Sequence, residues 1–439
     1  MTPAARLQSA IELLARIAET ERPADATVSA YFRERRYIGS KDRHAVAQAV
    51  YGALRRHARL RWWLSRADHA PTPRALVLAD AILGEGASAD SVAGLFSGGQ
   101  FGPEPLTDVE RRLARRLDGA SLEHADMPDV VRLECPDWAE SGLRRSLGER
   151  FAPELAAMLG PAPLDLRVNP IKAERDAVLA QLRADGIQAE ACALSPYGVR
   201  VNGRPNIAIH PLFKDGAIEI QDEASQLVAL VADARPGQQV VDFCAGAGGK
   251  TLAIAATMEN KGRIVACDVL EGRLRRAKER FRRAGVHNVE TRPLASENDK
   301  WVKRHKGAFD RVVVDAPCSG TGTWRRNPDM RWRRLGPELE ELSALQGRLL
   351  DSAARLVKPG GRLVYATCSL LPQENENQAE SFLARRPEFR PAPLAEIWDE
   401  AVVARGGGVL PGAGPHLKLT PARNGTDGFF AAVFDRAAE

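Results

Sequence analysis

The sequence predicts a multidomain α/β protein: helices first, then a small mixed segment, then a Rossmann-like domain with a doubly wound, mostly parallel sheet. Three observations predict it. Helical spacing without strand signals runs through residues 5–66; the pattern turns mixed near residue 161; and from residue 238 short apolar runs alternate with helical stretches. The last of these is the mark of βαβ units. At roughly 150 residues per domain, a chain of 439 residues has room for two or three domains.

In the N-terminal region Leu7, Ile11 and Leu14 recur at helical spacing, as do Val46, Val50 and Leu54. Residues 84–105 are rich in Gly, Ser and Pro and read as a loop or linker. Thr107, with Glu110 three residues on, predicts a capped helix over "TDVERRLARRL". A turn and an interdomain helix follow around 127–151. "PLDLRVNP" reads as a strand stopped by Pro170, "ERDAVLAQLRADG" as a helix, and "GVRVNG" and "GAIEIQD" as strands. "DEASQLVALVADARPG" is a helix with Gly237 past its end.

The third region opens with the strand "QQVVDF", the loop "CAGAGG" and the helix "KTLAIAATM". "GRIVACD", "NVETRPL", "FDRVVVDA", "GRLVYATCS" and "GFFAAVFDR" are further strands, with Pro359-Gly360-Gly361 read as a turn. The continuous apolar run in "FDRVVVDA" suits a strand buried on both faces.

Composition narrows the classes. With 44% hydrophobic and 27% charged residues this is a globular chain, and no apolar run is long enough to cross a bilayer. No secretory signal is visible, so a cytoplasmic location is expected. The six cysteines have neither CxxC pairs nor zinc-site spacing, so no metal is expected. Residues 31–66 carry ten basic and two acidic residues, with Tyr31, Tyr37, Tyr51, Trp62 and Trp63 interleaved. Residues 321–335 carry five arginines against Asp329. Basic residues among aromatics suit phosphate contact and base stacking, although a solvated helix face reads the same way.

The Gly loop after the first strand of the third region lets a ligand approach the backbone at Gly246, Gly248 and Gly249. It lacks P-loop spacing, which disfavours ATP. Asp268, about twenty residues beyond, can accept hydrogen bonds from ribose hydroxyls, which NAD and S-adenosyl-L-methionine both offer. Two Cys-Ser pairs separate them. Cys318-Ser319 and Cys368-Ser369 each follow a strand and fall with Asp242, Asp268 and Asp315 at one carboxyl edge, where such sheets bind ligands. A dehydrogenase has no need of them. A thiolate that adds to C6 of cytosine makes C5 enamine-like and able to take a methyl group. The adduct then loses the C5 proton and expels the thiol.

"DAPCSGTG", "YATCSL" and the Gly loop together resemble the Sun/Fmu-type (Nop/Sun) RNA cytosine-5 methyltransferases. "EIQDEASQLVA", "TWRRNPDMRW", "NGTDGFFAAVF" and "PLDLRVNP" resemble further segments of that family. "DRHAVAQAVYGALR" resembles the NusB-like RNA-binding domain of its bacterial small-subunit type B members. The resemblance implies a NusB-like domain over 1–150, a small RRM-like segment over 151–215, and a class I methyltransferase domain with a seven-stranded sheet over 216–439. It implies S-adenosyl-L-methionine as cofactor, held by Cys244, Ala245, Gly246, Ala247, Gly248, Gly249, Lys250, Asp268, Ser296 and Asp315. Cys368 would attack C6, Cys318 would assist release, and Asp315 and Lys250 would stand beside the reacting groups. The implied partner is RNA: ribosomal RNA first, transfer RNA next, with no membrane and a monomeric enzyme. An RNA-binding or ribosome-assembly factor with weakened methylation is the rival from another class. Two departures motivate it. The family's Cys-Ala-Ala-Pro-Gly-Gly-Lys loop lacks its proline here, which predicts a more flexible loop. After the third strand of the domain no acid stands where the family carries one; Ser296 is nearest and Asp299 comes late.

Overall fold

The computed structural model describes residues 1–333 and 335–438. It divides into two compact units, Met1–Pro161 with Trp324–Pro337, and Ala162–Thr323 with Glu338–Glu439.

The first unit has no strand among its described residues. Pro3–Glu19 forms a helix because Thr2 caps it, accepting from the Ala5 N–H, with Pro3 at the first helical position. Leu13, Leu14 and Ile17 on its inner face meet Val46, Val50 and Leu54 of the helix Ser40–Arg55 in one core. The capping box at Thr107 and Glu110 forms as its spacing predicts. The stretch 84–105 is not all loop. Ala89–Leu95 is a helix capped by Ser88, because Val92 and Phe96, four apart, reach the core.

The Arg-rich loop is built into this unit. Trp324 is fully buried, its ring 6.0 Å from that of Trp138. The buried Arg331 guanidinium donates to the carbonyls of Glu134 at 3.0 Å and Met158 at 2.8 Å. Asp329 accepts the Ala24 N–H at 2.9 Å and pairs with Arg333 at 3.2 Å. Arg331 and Arg333 therefore serve packing rather than a free phosphate-contacting face. Arg334 of the same loop lies outside the described residues.

The 31–66 stretch divides in the same way. Tyr31 and Trp63 are core residues, Arg59 pairs with the buried Glu134, and Arg56 pairs with Asp80 and Glu85. Arg33, Arg36, Lys41, Arg61 and Tyr37 are exposed.

The second unit holds two sheets. Strands β1 (Leu164–Val168), β2 (Ala189–Ala191), β3 (Gly198–Val201) and β4 (Ile218–Ile220) pair antiparallel in the order β2-β3-β1-β4. With the helix Arg175–Ala184 between β1 and β2, and the turn of helix Pro211–Lys214 before β4, the chain order is βαββαβ. One face packs Leu166, Val168, Val199, Val201 and Ile218 against that longer helix. The other face carries buried charges, one paired within the sheet and one with the larger domain. Asp165 binds Arg200 through both carboxylate oxygens, and Glu219 pairs with Arg280 and Arg283.

The large sheet contains β5 (Gln239–Asp242), β6 (Arg263–Asp268), β7 (Val289–Pro293), β8 (Phe309–Asp315), β9 (Val357–Thr367), β10 (Phe389–Pro391), β11 (His416–Leu419) and β12 (Phe429–Arg436). Their order is β10-β12-β9-β8-β5-β6-β7, with β5 to β9 mutually parallel and β12 antiparallel to β9. Alternate residues fill opposite cores: Val240, Ile264, Val313 and Val364 on one face, Val241, Val265, Val312 and Leu363 on the other. That is the doubly wound pattern. The sheet has eight strands, not seven, because the short β10 and β11 pair end to end along the outer edge of β12. Pro359-Gly360-Gly361 is no free turn either. It lies within β9, where the register to β8 shifts between Phe309 and Arg311.

Candidate active site

Four parallel strands end at one edge, and each delivers a polar group there. β5 delivers Asp242, β6 Asp268, β8 Asp315, and Cys368 follows β9 directly.

The Gly loop leaves β5 and enters the helix Gly249–Thr257, with Gly246 and Gly248 both left-handed, at φ +56° and +79°. Its backbone is held at each step. The Ala245 N–H donates to the Cys267 carbonyl, the Gly246 N–H to Asp268 Oδ2, and the Gly248 N–H to the Ala245 carbonyl, all at 2.8 Å. Arg280 donates to the Ala247 carbonyl at 2.8 Å, and the buried Arg167 of β1 to that of Gly249 at 2.7 Å. The expectation of a loosened loop is thus offset by two arginines that sequence reasoning missed.

A Cβ on Gly246 would meet nothing within 4 Å, so the loop leaves open space above it. Asp268 Oδ1 accepts the Leu270 N–H at 2.7 Å, and each of its oxygens keeps a lone pair for a ribose hydroxyl. Val269 and Leu270 beside it are exposed, 60% and 53%, and offer an apolar face to a purine. These features fit an adenosyl cofactor.

Asp242 is fully buried. The Thr251 hydroxyl donates to its Oδ2 at 2.6 Å, while Oδ1 has no partner. Burial pushes its pKa up to about 7, the Thr251 bond working against the rise and the Asp315 charge adding to it. Lys250 Nζ donates to Asp315 Oδ2 at 2.6 Å and lies 5.0 Å from the Phe429 ring centre. Cys244 lies between the loop and the core, its thiol raised by burial.

The two cysteines converge. Cys318 Sγ and Cys368 Sγ are 3.4 Å apart, although fifty residues separate them in sequence. The hydrogen bond to Cys368 and burial, joined by the charges of Cys368 and Glu374, push the Cys318 thiol well up. The segments behind them interlock. Ser319 Oγ lies 3.3 Å from Ser369 Oγ, which lies 3.2 Å from Thr321 Oγ1, and the Gly322 N–H donates to the Cys368 carbonyl at 2.9 Å.

Ser296 follows β7, parallel to β6, and its hydroxyl accepts the Asn298 N–H at 3.2 Å. Asp299 folds back so that Oδ2 accepts the Ala295 N–H at 3.0 Å while Oδ1 caps the helix Lys300–Arg304. Glu374, Asn375 and Gln346 also surround the cysteines. Nothing in the polar run "PQENENQAES" singled out the first two.

Known families and relatives match over most of the chain. The 16S rRNA methyltransferase RsmB/F family matches residues 229–435, and the ferredoxin-like domain of the RsmF/B-like methyltransferases matches 135–208. A ribosomal RNA small subunit methyltransferase B of Pseudomonas syringae pv. tomato is 35% identical over 337 residues, covering 76% of this chain and 72% of the relative. The crystal structure of PH0851 superposes with a TM-score of 0.79 at 27% identity over 99% of both chains. A methyltransferase homolog from Pyrococcus horikoshii gives a TM-score of 0.57 at 30% identity, covering 70% of this chain and 97% of its own.

Proposed function

Since the chain belongs to the family of the ribosomal RNA small subunit methyltransferases B, S-adenosyl-L-methionine-dependent enzymes of class I fold, we propose that it forms 5-methylcytosine in small-subunit ribosomal RNA through a covalent cysteine adduct. The observation that carries this reading is the 3.4 Å approach of two thiols beside the Lys250–Asp315 pair, at the edge where the Gly loop also opens.

When bound, S-adenosyl-L-methionine supplies an electrophilic methyl group on a sulfonium. The Gly loop would hold it, and the Asp268 carboxylate would accept from its ribose hydroxyls. Cys368 attacks C6 as thiolate, with Cys318 Sγ 3.4 Å away. Asp315 stands as the acid beside N3: it gives a proton to N3 as attack sends negative charge into the ring and takes it back on release, while Lys250 holds the Asp315 side chain in place. After transfer the C5 proton passes to a solvent base. The C5–H pair closes the C5=C6 bond, the C6–S pair returns to Cys368, and Cys318 assists that departure. The cytosine must be unstacked for a thiol to reach C6.

In this reading residues 1–150 form a NusB-like RNA-binding domain, 151–215 an RRM-like segment whose last strand extends to Ile220, and 216–439 the methyltransferase domain. The enzyme works as a monomer in the cytoplasm, where ribosomes are built; no helix among the described residues is long and apolar enough to cross a membrane. Bisulfite mapping of 16S ribosomal RNA from cells with and without the protein tests the reading. One cytosine should lose protection in its absence; an unchanged map would overturn it.

A further inference from the structure

Behind the cysteines lies a carboxylate that the reaction above does not use. Glu374 sits in a 3₁₀ turn six residues after Cys368 and is fully buried. Its Oε1 accepts the Ser319 N–H at 2.8 Å and Gln346 Nε2 at 3.0 Å, and its Oε2 accepts the Ser319 hydroxyl at 2.5 Å. Gln346 Nε2 also donates to the Pro317 carbonyl at 2.9 Å. Every one of these bonds falls on the turn that carries Cys318, directly or through Gln346. The next residue holds the other cysteine's segment. Asn375 Nδ2 donates to the Ser369 carbonyl at 2.8 Å, and Thr367 donates to Asn375 Oδ1 at 2.5 Å. Two neighbouring side chains thus hold the two cysteine segments separately.

We propose that Glu374 is a positioning residue for adduct release: it holds the Pro317–Gly320 turn so that Cys318 stays within reach of the bond made by Cys368. The assignment rests on the covalent reading above. A buried carboxylate accepts only, so the Ser319 hydroxyl must donate to Glu374 and is left to accept from Ser369. That fixes the direction of a hydroxyl chain running Thr321, Ser369, Ser319, Glu374 across both segments. The carboxylate charge also helps keep the Cys318 thiol protonated, after the larger effects of the Cys368 bond and burial. A general packing role would weaken both cysteines alike; here the side-chain bonds of Glu374 fall on the Cys318 turn, directly or through Gln346, and the Cys368 segment keeps its own anchor in Asn375.

The test uses the full-length protein, S-adenosyl-L-methionine and an unmethylated 16S ribosomal RNA transcript. It reads turnover, cofactor affinity, and protein–RNA adduct surviving a denaturing gel. For Glu374→Ala the expectation is turnover down by about ten- to a hundredfold, the size of a lost hydrogen bond to a charged group. Adduct should accumulate well above wild type while cofactor affinity is unchanged. Glu374→Gln should recover most of the turnover, since its carbonyl still accepts from Ser319 N–H. Asn375→Ala should behave oppositely, with less adduct formed. If Glu374→Ala does not fold, Ser319→Ala, which removes only the hydroxyl bond, carries the same test. Wild-type release, or turnover lost without adduct while Cys318→Ala still traps, would overturn the assignment. Absence of adduct in Cys318→Ala itself would overturn the division of labour between the cysteines, and the assignment with it.

Discussion

The carboxyl edge has a cofactor side and a cysteine side, and they are held in different ways. At β5 and β6 the loop is fixed by main-chain bonds, by Asp268, and by arginines from outside the loop; open space stands above Gly246. At β8 and β9 the segments are packed into each other through buried hydroxyls and Glu374, with Gly322 and Gly428 touching backbone to backbone. A ligand that binds and leaves needs an open cradle. On the proposed mechanism two sulfurs act on one bond, and that needs a fixed separation. Substitutions on the first side should therefore change affinity in graded steps, and those on the second should change stability and the fate of the bound RNA.

The largest expected effect comes from Asp242, at the start of the cofactor side. Its pKa is raised to about 7 in the folded protein, against about 3.9 in an unfolded chain. A raised acid favours the folded state at low pH. The contribution is full below about pH 4 and is lost as pH rises toward 7, by about 4 kcal/mol. Asp242→Asn should flatten that slope, which urea titrations across pH 4 to 8 would show; parallel slopes would place the ionisation elsewhere.

Alanine at two glycines sharpens the contrast. On Gly322 a Cβ would come within 2.2 Å of the Gly428 carbonyl oxygen, which should destabilise by about 3 kcal/mol and cost both cysteine functions. On Gly246 it meets nothing, so only left-handed strain of about 1–2 kcal/mol is expected, with cofactor binding weakened by the filled space. Equal effects in a denaturation series would erase the distinction.

Asp268→Ala should weaken S-adenosyl-L-methionine binding by about 1.5–3 kcal/mol in calorimetry, since a charged acceptor and a loop anchor go together. The smallest effect belongs to the exposed basic residues. Arg36→Glu, Lys41→Glu and Arg61→Glu should each weaken RNA binding modestly and flatten its salt dependence, leaving cofactor affinity alone. Removing residues 1–150 outright is a poorer probe, because Trp324 and Arg331 would lose Trp138 and the Glu134 carbonyl.

What could be read from the sequence follows from how local each signal was. Cys318 and Cys368 end strands, and strand ends of a parallel sheet share one edge, so their meeting was legible. So was the pairing of the Gly loop with Asp268. The 31–66 stretch shows the opposite. Composition says nothing about which face a side chain takes, and Tyr31, Trp63 and Arg59 turned inward. Glu374 escaped because its partners, Ser319 and Gln346, lie 55 and 28 residues away and meet it only after folding. The helix Ala89–Leu95 was hidden by Gly and Ser around one short apolar pair.

The division of labour between the two cysteines is the central claim, and covalent trapping tests it most directly. Cys318→Ala and Cys368→Ala, each incubated with cofactor and unmethylated 16S ribosomal RNA, would be run on denaturing gels. The account predicts a slow-migrating protein–RNA species with Cys318→Ala, and neither adduct nor methylation with Cys368→Ala. Adduct with Cys368→Ala and none with Cys318→Ala would contradict it and make Cys318 the nucleophile.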